Sequence, residues 1–75
     1  MTTQPTYLSR RERQVLAELA RGSQSDEMAL ALHLSVHTIR SHTKSLLRKL
    51  GARTRAHAVA IAYSNGALEL ELGVA

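Results

Sequence analysis

The sequence predicts an all-α domain of four helices, and two observations support this fold class. Apolar residues recur at helical spacing in four segments, and residues that favour helix termini bound these segments. The 75 residues have room for one core, and because the chain has no Phe, Trp or Cys, that core has to be built from Leu, Val, Ile, Met and Ala. Such residues suit short packed helices, and a disulfide framework is excluded.

The first two predicted helices lie before residue 33. Ser9-Arg10-Arg11-Glu12 has the spacing of a capping box, in which the Ser9 side chain and the Glu12 side chain bind each other's backbone N–H groups. Gly22 can adopt the left-handed conformation that ends a helix. A second, shorter helix is predicted from Asp26 to about Leu32, begun by Ser23 or Ser25, and no glycine marks its end.

The third predicted helix runs from about Val36 to Leu50, with Ser35 as its cap and Gly51 at its end. At 100° per residue its apolar residues form one stripe, predicted to face the core. The stripe contains Val36, Ile39, Thr43, Leu46, Leu47 and Leu50. A fourth helix is predicted from Thr54, its cap, to about Asn65, where Asn65-Gly66 would end it.

The predicted domain therefore spans residues 8–66, between a flexible N-terminal arm at 1–7 and a C-terminal tail at 67–75. In the tail, apolar and acidic residues alternate from Leu68 to Leu72, a pattern compatible with either a short extended segment or a helix.

Charge is distributed unevenly along the chain, whose formal net charge is +4. Between positions 36 and 55 there are basic residues and no acidic ones. Because solvated helix faces usually mix the two signs, this segment is predicted to bind a polyanion, with nucleic acid favoured over anionic lipid. The basic residues are Arg40, Lys44, Arg48, Lys49, Arg53 and Arg55.

Other classes of function find little support. No spacing indicates a nucleophile with a base, a carboxylate pair or a phosphate-binding loop, so we expect no catalytic residues and no cofactor. The four histidines, His33, His37, His42 and His57, lack metal-site spacing, so no metal is expected. No apolar run is long enough to cross a membrane and no export signal precedes the first helix, so no membrane partner is expected.

A short helix, a tight turn and a longer basic helix are typical of a helix-turn-helix, whose last helix enters the DNA major groove. Over about residues 8–66 the chain resembles the LuxR-type (FixJ- or NarL-type) DNA-binding domain of bacterial transcriptional regulators. The matching blocks are Leu8–Leu16; Gly22 with Glu27–Ala29 and Leu32; Leu34–His42; and Lys49–Ala52 with Arg55, Ala58 and Val59. Domains of that family have four helices and end longer proteins that carry a receiver or ligand-binding domain.

The resemblance implies a role for each part of the surface. Arg40, Ser41 and Lys44 occupy the positions expected to face base edges, and helical geometry also puts them on the polar face of the third helix. The predicted contacts to DNA phosphates come from His37, Thr38, Arg48, Lys49, Arg53 and Arg55. Arg55 has a structural alternative, an ion pair with Glu12 or Glu18.

The resemblance also implies partners and a location. Such domains bind double-stranded promoter DNA as dimers, usually through the fourth helix, and the expected dimer interface contains Val59, Ala62 and Tyr63. RNA polymerase would be a further partner, and the expected location is cytoplasmic, at the bacterial nucleoid. Two alternatives are a promoter-binding module like region 4 of sigma factors, and a protein-interaction module that pairs with another regulator through its fourth helix.

Overall fold

The computed structural model describes residues 8–64, which form four α-helices and no strand. The helices are α1 (Arg10–Ala20), α2 (Ser25–Leu32), α3 (Val36–Leu50) and α4 (Arg55–Ser64). The predicted all-α fold with four helices is confirmed. The predicted arm, the predicted tail and the Asn65-Gly66 stop lie outside the described residues.

Side-chain caps begin three of the four helices where the sequence predicts them. The capping box of α1 is complete: the Glu12 N–H donates to Ser9 Oγ at 3.1 Å, and the Ser9 N–H donates to Glu12 Oε1 at 2.8 Å. Ser35 Oγ accepts from the Thr38 N–H at 3.0 Å, and Thr54 Oγ1 accepts from the His57 N–H, also at 3.0 Å. These bonds satisfy backbone donors that the first helical turn leaves unpaired.

The start of α2 differs from the prediction, since neither Ser23 nor Ser25 is its cap. The helix begins at Ser25, and the preceding residue Gln24 donates its backbone N–H to Glu27 Oε1 at 2.7 Å. Ser23 instead donates its hydroxyl to Glu18 Oε1 of α1 at 2.8 Å. The sequence does not distinguish Ser23 from Ser25 as a cap. Contacts with other helices decide which hydrogen bond each serine forms.

The ends of α1, α2 and α3 share one backbone motif. In each, a residue two or three positions after the end of the helix donates its N–H back over five residues: Ser23 to Glu18 O, Leu34 to Ala29 O, and Ala52 to Leu47 O. This Schellman motif requires a left-handed residue just before the donor. Gly22 and Gly51 supply it at φ of 84° and 69°, whereas α2 uses His33 at φ 57°.

The core lies where α3 crosses the other helices, since α3 packs against α1, α2 and α4. The predicted stripe is largely confirmed: Ile39, Thr43, Leu46 and Leu50 are buried, while Val36 and Leu47 are partly buried. Thr43 donates its buried hydroxyl to the Ile39 carbonyl at 2.8 Å, which satisfies it inside an apolar interior. The core also receives Leu8, which precedes α1, and from the other helices Val15, Leu16, Met28, Ala29, Ala58 and Ala62.

Candidate nucleic-acid interface

One side of α3 is buried and the opposite side is a polar, cationic surface. We call this surface the basic face and define it by Arg40, Ser41, Lys44 and Arg48, which are all exposed. Buried residues alternate with them at helical spacing, and Ile39 and Leu46 are fully buried. Because burial of one side fixes the rotation of the helix, the three predicted base-contacting residues are held on one outward surface.

The first turn of a helix normally has free backbone N–H groups that could bind a phosphate, but in α3 the Ser35 cap occupies one of them. The Thr38 backbone N–H is bound by the Ser35 cap, and Ser35 also donates its hydroxyl to Thr38 Oγ1 at 2.9 Å. The Thr38 hydroxyl therefore keeps its own hydrogen for an outside acceptor. His37, beside it, is exposed.

Lys49 is turned towards the protein, unlike its neighbour Arg48. Its ammonium lies 2.8 Å from Glu12 Oε1, and the two side chains are 31% and 5% exposed. The sequence predicts Lys49 as a phosphate contact, but the structure assigns its charge to α1. The helical period explains the difference, because Lys49 lies nearer to the apolar stripe than Arg48 does.

Glu12 is the centre of a buried polar cluster that joins the start of α1 to the end of α3. Its carboxylate accepts from the Ser9 N–H, the Lys49 ammonium and the Ser45 hydroxyl. Burial raises the pKa of Glu12, but these hydrogen bonds and the charge of Lys49 outweigh it and lower the pKa to about 2. The carboxylate is therefore ionised at neutral pH and holds the two helices together.

Arg53 and Arg55 flank the start of α4, and both are exposed. Arg55 does not pair with Glu12 or Glu18; its Nη2 donates to Ser25 Oγ at 2.9 Å, which links the start of α4 to the start of α2. Glu18 instead accepts from Arg21 and Ser23. The Arg53 backbone N–H donates to His57 Nδ1 at 3.0 Å, which orders the segment leading into α4.

An open groove separates the starts of α2 and α4 from α3; we call it the interhelix groove. Arg40 and Arg55 line it together with an exposed carboxylate, that of Asp26. The remaining lining residues are Gln24, Ser25 and Val36. Sequence reasoning did not include Gln24, Ser25 or Asp26 in the site, because only the packing of α2 against α3 brings them beside Arg40.

The three residues expected at a dimer interface are exposed to different degrees. Ala62 is 0% exposed and packs in the core of its own chain, Val59 is partly buried, and Tyr63 is 54% exposed. Of these three residues, only Tyr63 and the edge of Val59 belong to the outer surface of α4, which also contains the exposed Arg55, Ala56, His57, Ala60 and Ser64. Ala58 and Ala62 are the small residues that let α4 approach the rest of the core.

Residues 8–64 contain no cluster of three or more His, Cys, Asp or Glu side chains that could hold a metal ion. Over the same residues, no helix is both long and apolar enough to cross a membrane.

Comparison with known proteins gives a consistent result. Residues 6–62 match the family described as bacterial regulatory proteins, luxR family. The chain is 45% identical over 65 residues to the HTH-type transcriptional activator RamA of Corynebacterium glutamicum, a match that covers 87% of this chain and 23% of RamA. It is 42% identical over 59 residues to the uncharacterized transcriptional regulatory protein YhcZ of Bacillus subtilis, covering 76% and 28% of the two chains.

A third relative is the response regulator protein VraR of Staphylococcus aureus, 31% identical over 62 residues, with 83% of this chain and 30% of VraR covered. The chain thus spans less than a third of the length of these three relatives.

Proposed function

Because this chain belongs to the luxR family of bacterial regulatory proteins, a family of DNA-binding regulators and not of enzymes, we propose that it binds double-stranded promoter DNA sequence-specifically and regulates transcription. In this proposal α3 enters the major groove with its basic face. The observation that carries it is the exposure of Arg40, Ser41 and Lys44 on one side of a helix whose other side is buried. Because the core fixes the rotation of α3, the helix can present these three side chains to the major groove in one constant arrangement.

The basic face is proposed to read the bases. Arg and Lys side chains can donate to guanine O6 and N7, and a serine hydroxyl can donate to or accept from several base edges. Arg40, Ser41 and Lys44 lie within little more than one helical turn, about 6 Å along the axis. They are therefore placed to contact adjacent base pairs.

A second group is proposed to hold the DNA backbone. Arg48 and Arg53 are exposed and cationic, His37 and the Thr38 hydroxyl lie at the start of α3, and Arg55 can reach outward from its bond to Ser25. Contacts to phosphate set the register and orientation but carry no sequence information. Lys49 is left out of this group, since its ammonium is bound by Glu12.

The domain is further proposed to bind two half-sites as a homodimer through α4, with Tyr63 and Val59 at the contact. An exposed tyrosine on a short helix offers a large contact area, while Ala62 packs α4 against the core of its own chain. Replacing Tyr63 with Arg should abolish cooperative occupancy of a duplex carrying two half-sites and leave binding to one half-site intact. Cooperativity unchanged by Tyr63→Arg would place the dimer contact elsewhere.

Selection from random duplexes, followed by titration at several salt concentrations, tests the proposed function. The non-specific dissociation constant should be about 10⁻⁴ to 10⁻⁶ M, and selected sites should bind more tightly by about 10³ or more. Affinity should fall steeply between about 50 and about 200 mM salt, since bound phosphates release counterions. Failure to enrich any sequence, or affinity insensitive to salt, would contradict the proposal.

The direction of regulation belongs to the whole protein. RamA is named a transcriptional activator and VraR a response regulator. By analogy we propose that this domain directs a larger regulator to promoters, where RNA polymerase is the partner it acts on.

A further inference from the structure

The interhelix groove contains one feature that opposes DNA binding. Asp26 lies in the first turn of α2, is exposed, and lines the groove with Arg40 and Arg55. Among residues 8–64 its carboxylate forms no ion pair, so its charge is not neutralised by a partner in that part of the chain. A unit negative charge therefore stands beside the surface that the proposed function turns towards a polyanion.

Asp26 lies in the first turn of α2, and this position adds to its opposition to DNA binding. The N-terminus of a helix favours an anion, because unpaired N–H groups and the helix dipole point towards it. At the N-terminus of α2, the carboxylates of Asp26 and Glu27 already supply the negative charge that a DNA phosphate would otherwise bring. Of the two, only Asp26 lines the groove, while Glu27 accepts from the Gln24 N–H.

We propose that Asp26 limits the affinity of the domain for DNA: its carboxylate repels the phosphates that approach the interhelix groove and attracts Arg40, and both effects oppose binding. This inference rests on the proposed function. Binding to random DNA is almost entirely electrostatic, so a repelling charge lowers it in full. On a selected site Arg40 has to leave the carboxylate to donate to a base, so the attraction of Asp26 opposes this bond as well.

The test compares two variants with the same change in net charge, Asp26→Asn and Glu27→Gln. Glutamine can replace glutamate in a capping box, so the second variant keeps the start of α2 and serves as the control for net charge. Dissociation constants are measured for a selected site and for a random duplex, at about 50 to about 200 mM salt. Circular dichroism checks that each variant is folded, and Asp26→Ser serves as a second neutral variant, since serine is well tolerated near helix starts.

Asp26→Asn should bind the random duplex about fivefold more tightly, as expected for removal of one repulsion of about 1 kcal/mol between charges about 4 Å apart in water. It should bind the selected site more tightly by at least the same factor, because Arg40 no longer has to leave a carboxylate to reach a base. Glu27→Gln should change both affinities by less than about twofold.

Equal effects of the two variants would overturn the proposal and assign the effect to net charge. A selective loss of binding to the selected site in Asp26→Asn would also overturn it, because the carboxylate would then be accepting from a base such as cytosine. If the wild-type chain bound neither duplex, the proposed function itself would fail. If the wild type bound with salt dependence and Asp26→Asn matched it, only the inference about Asp26 would fail.

Discussion

At position 33 a histidine adopts a backbone conformation that the chain elsewhere assigns to glycine. His33 ends α2 at φ 57°, where Gly22 and Gly51 end α1 and α3. A residue with a Cβ atom is destabilised by roughly 1 kcal/mol or more in this left-handed conformation. The turn between α2 and α3 is therefore strained at one residue, and this strain can be relieved without changing any contact of the basic face.

Replacing His33 with Gly should raise the free energy of unfolding by about 0.5–1 kcal/mol, because the gain in the folded turn exceeds the added flexibility of the unfolded chain. Urea denaturation at neutral pH measures this. The matched control is Ala31→Gly, two residues earlier within α2, which should lower stability by a similar amount. Destabilisation by both substitutions would show that the His33 side chain stabilises the turn.

The basic face and the phosphate-binding group should respond differently to truncation. Arg40→Ala or Lys44→Ala should cost about 1–3 kcal/mol on the selected site and relax base preference at one position, because a donor to a base edge is lost. Arg48→Ala or Arg53→Ala should weaken all duplexes about equally and reduce the salt slope by about one ion. Repeating the duplex selection with each variant distinguishes the two outcomes. Unaltered base preference in Arg40→Ala would remove Arg40 from the reading group.

At the scale of the elements, helix positions could be predicted because their signals are local. The capping residues Ser9, Ser35 and Thr54 and the glycines after α1 and α3 act within one turn of chain. The predicted end of α2 at about Leu32 is confirmed, although no glycine marks it; the left-handed residue there is His33, and a left-handed histidine has no distinctive sequence pattern.

The parts of the site that could not be predicted depend on contacts distant in sequence. Lys49 belongs to the basic segment between positions 36 and 55, but only the packing of α1 on α3 shows that Glu12 binds it. Likewise, the family resemblance implies that Ala62 lies at a dimer surface, whereas Ala62 is buried in its own chain. In both cases a residue type suitable for an interface is used inside the domain.

The bond between α1 and α3 through Glu12 should make stability depend on pH in the acid range. The pKa of Glu12 is lowered from its ordinary value of 4.5 to about 2 in the folded chain. Because the folded state binds the proton less well, this contribution is present above the unfolded pKa and is lost as pH falls from about 4.5 towards about 2. Its size is on the order of 2–3 kcal/mol.

Urea denaturation of the wild type and of Glu12→Gln at several pH values measures this contribution. The difference in stability between them should be about 1–3 kcal/mol at neutral pH and should shrink towards zero near pH 2. Using the difference cancels the titration of the other carboxylates. A difference that stayed constant over the whole range would mean that Glu12 acts through packing and not through its charge.

At the scale of the whole molecule, α3 is both the centre of the core and the proposed reading element. It packs against the three other helices, so any change that loosens the core also loosens the basic face. The chain spans 23% to 30% of the lengths of the three relatives.

The most direct test of this account follows the amide NMR shifts of the labelled chain while a selected duplex is added. The largest changes should fall on Arg40, Ser41 and Lys44 and on the start of α3, with smaller ones near Arg53. The outward side of α1 and the exposed Leu30 of α2 should change little. If the changes instead centred on Leu30 or α1, with the basic face of α3 unaffected, α3 would not be the element that enters the major groove.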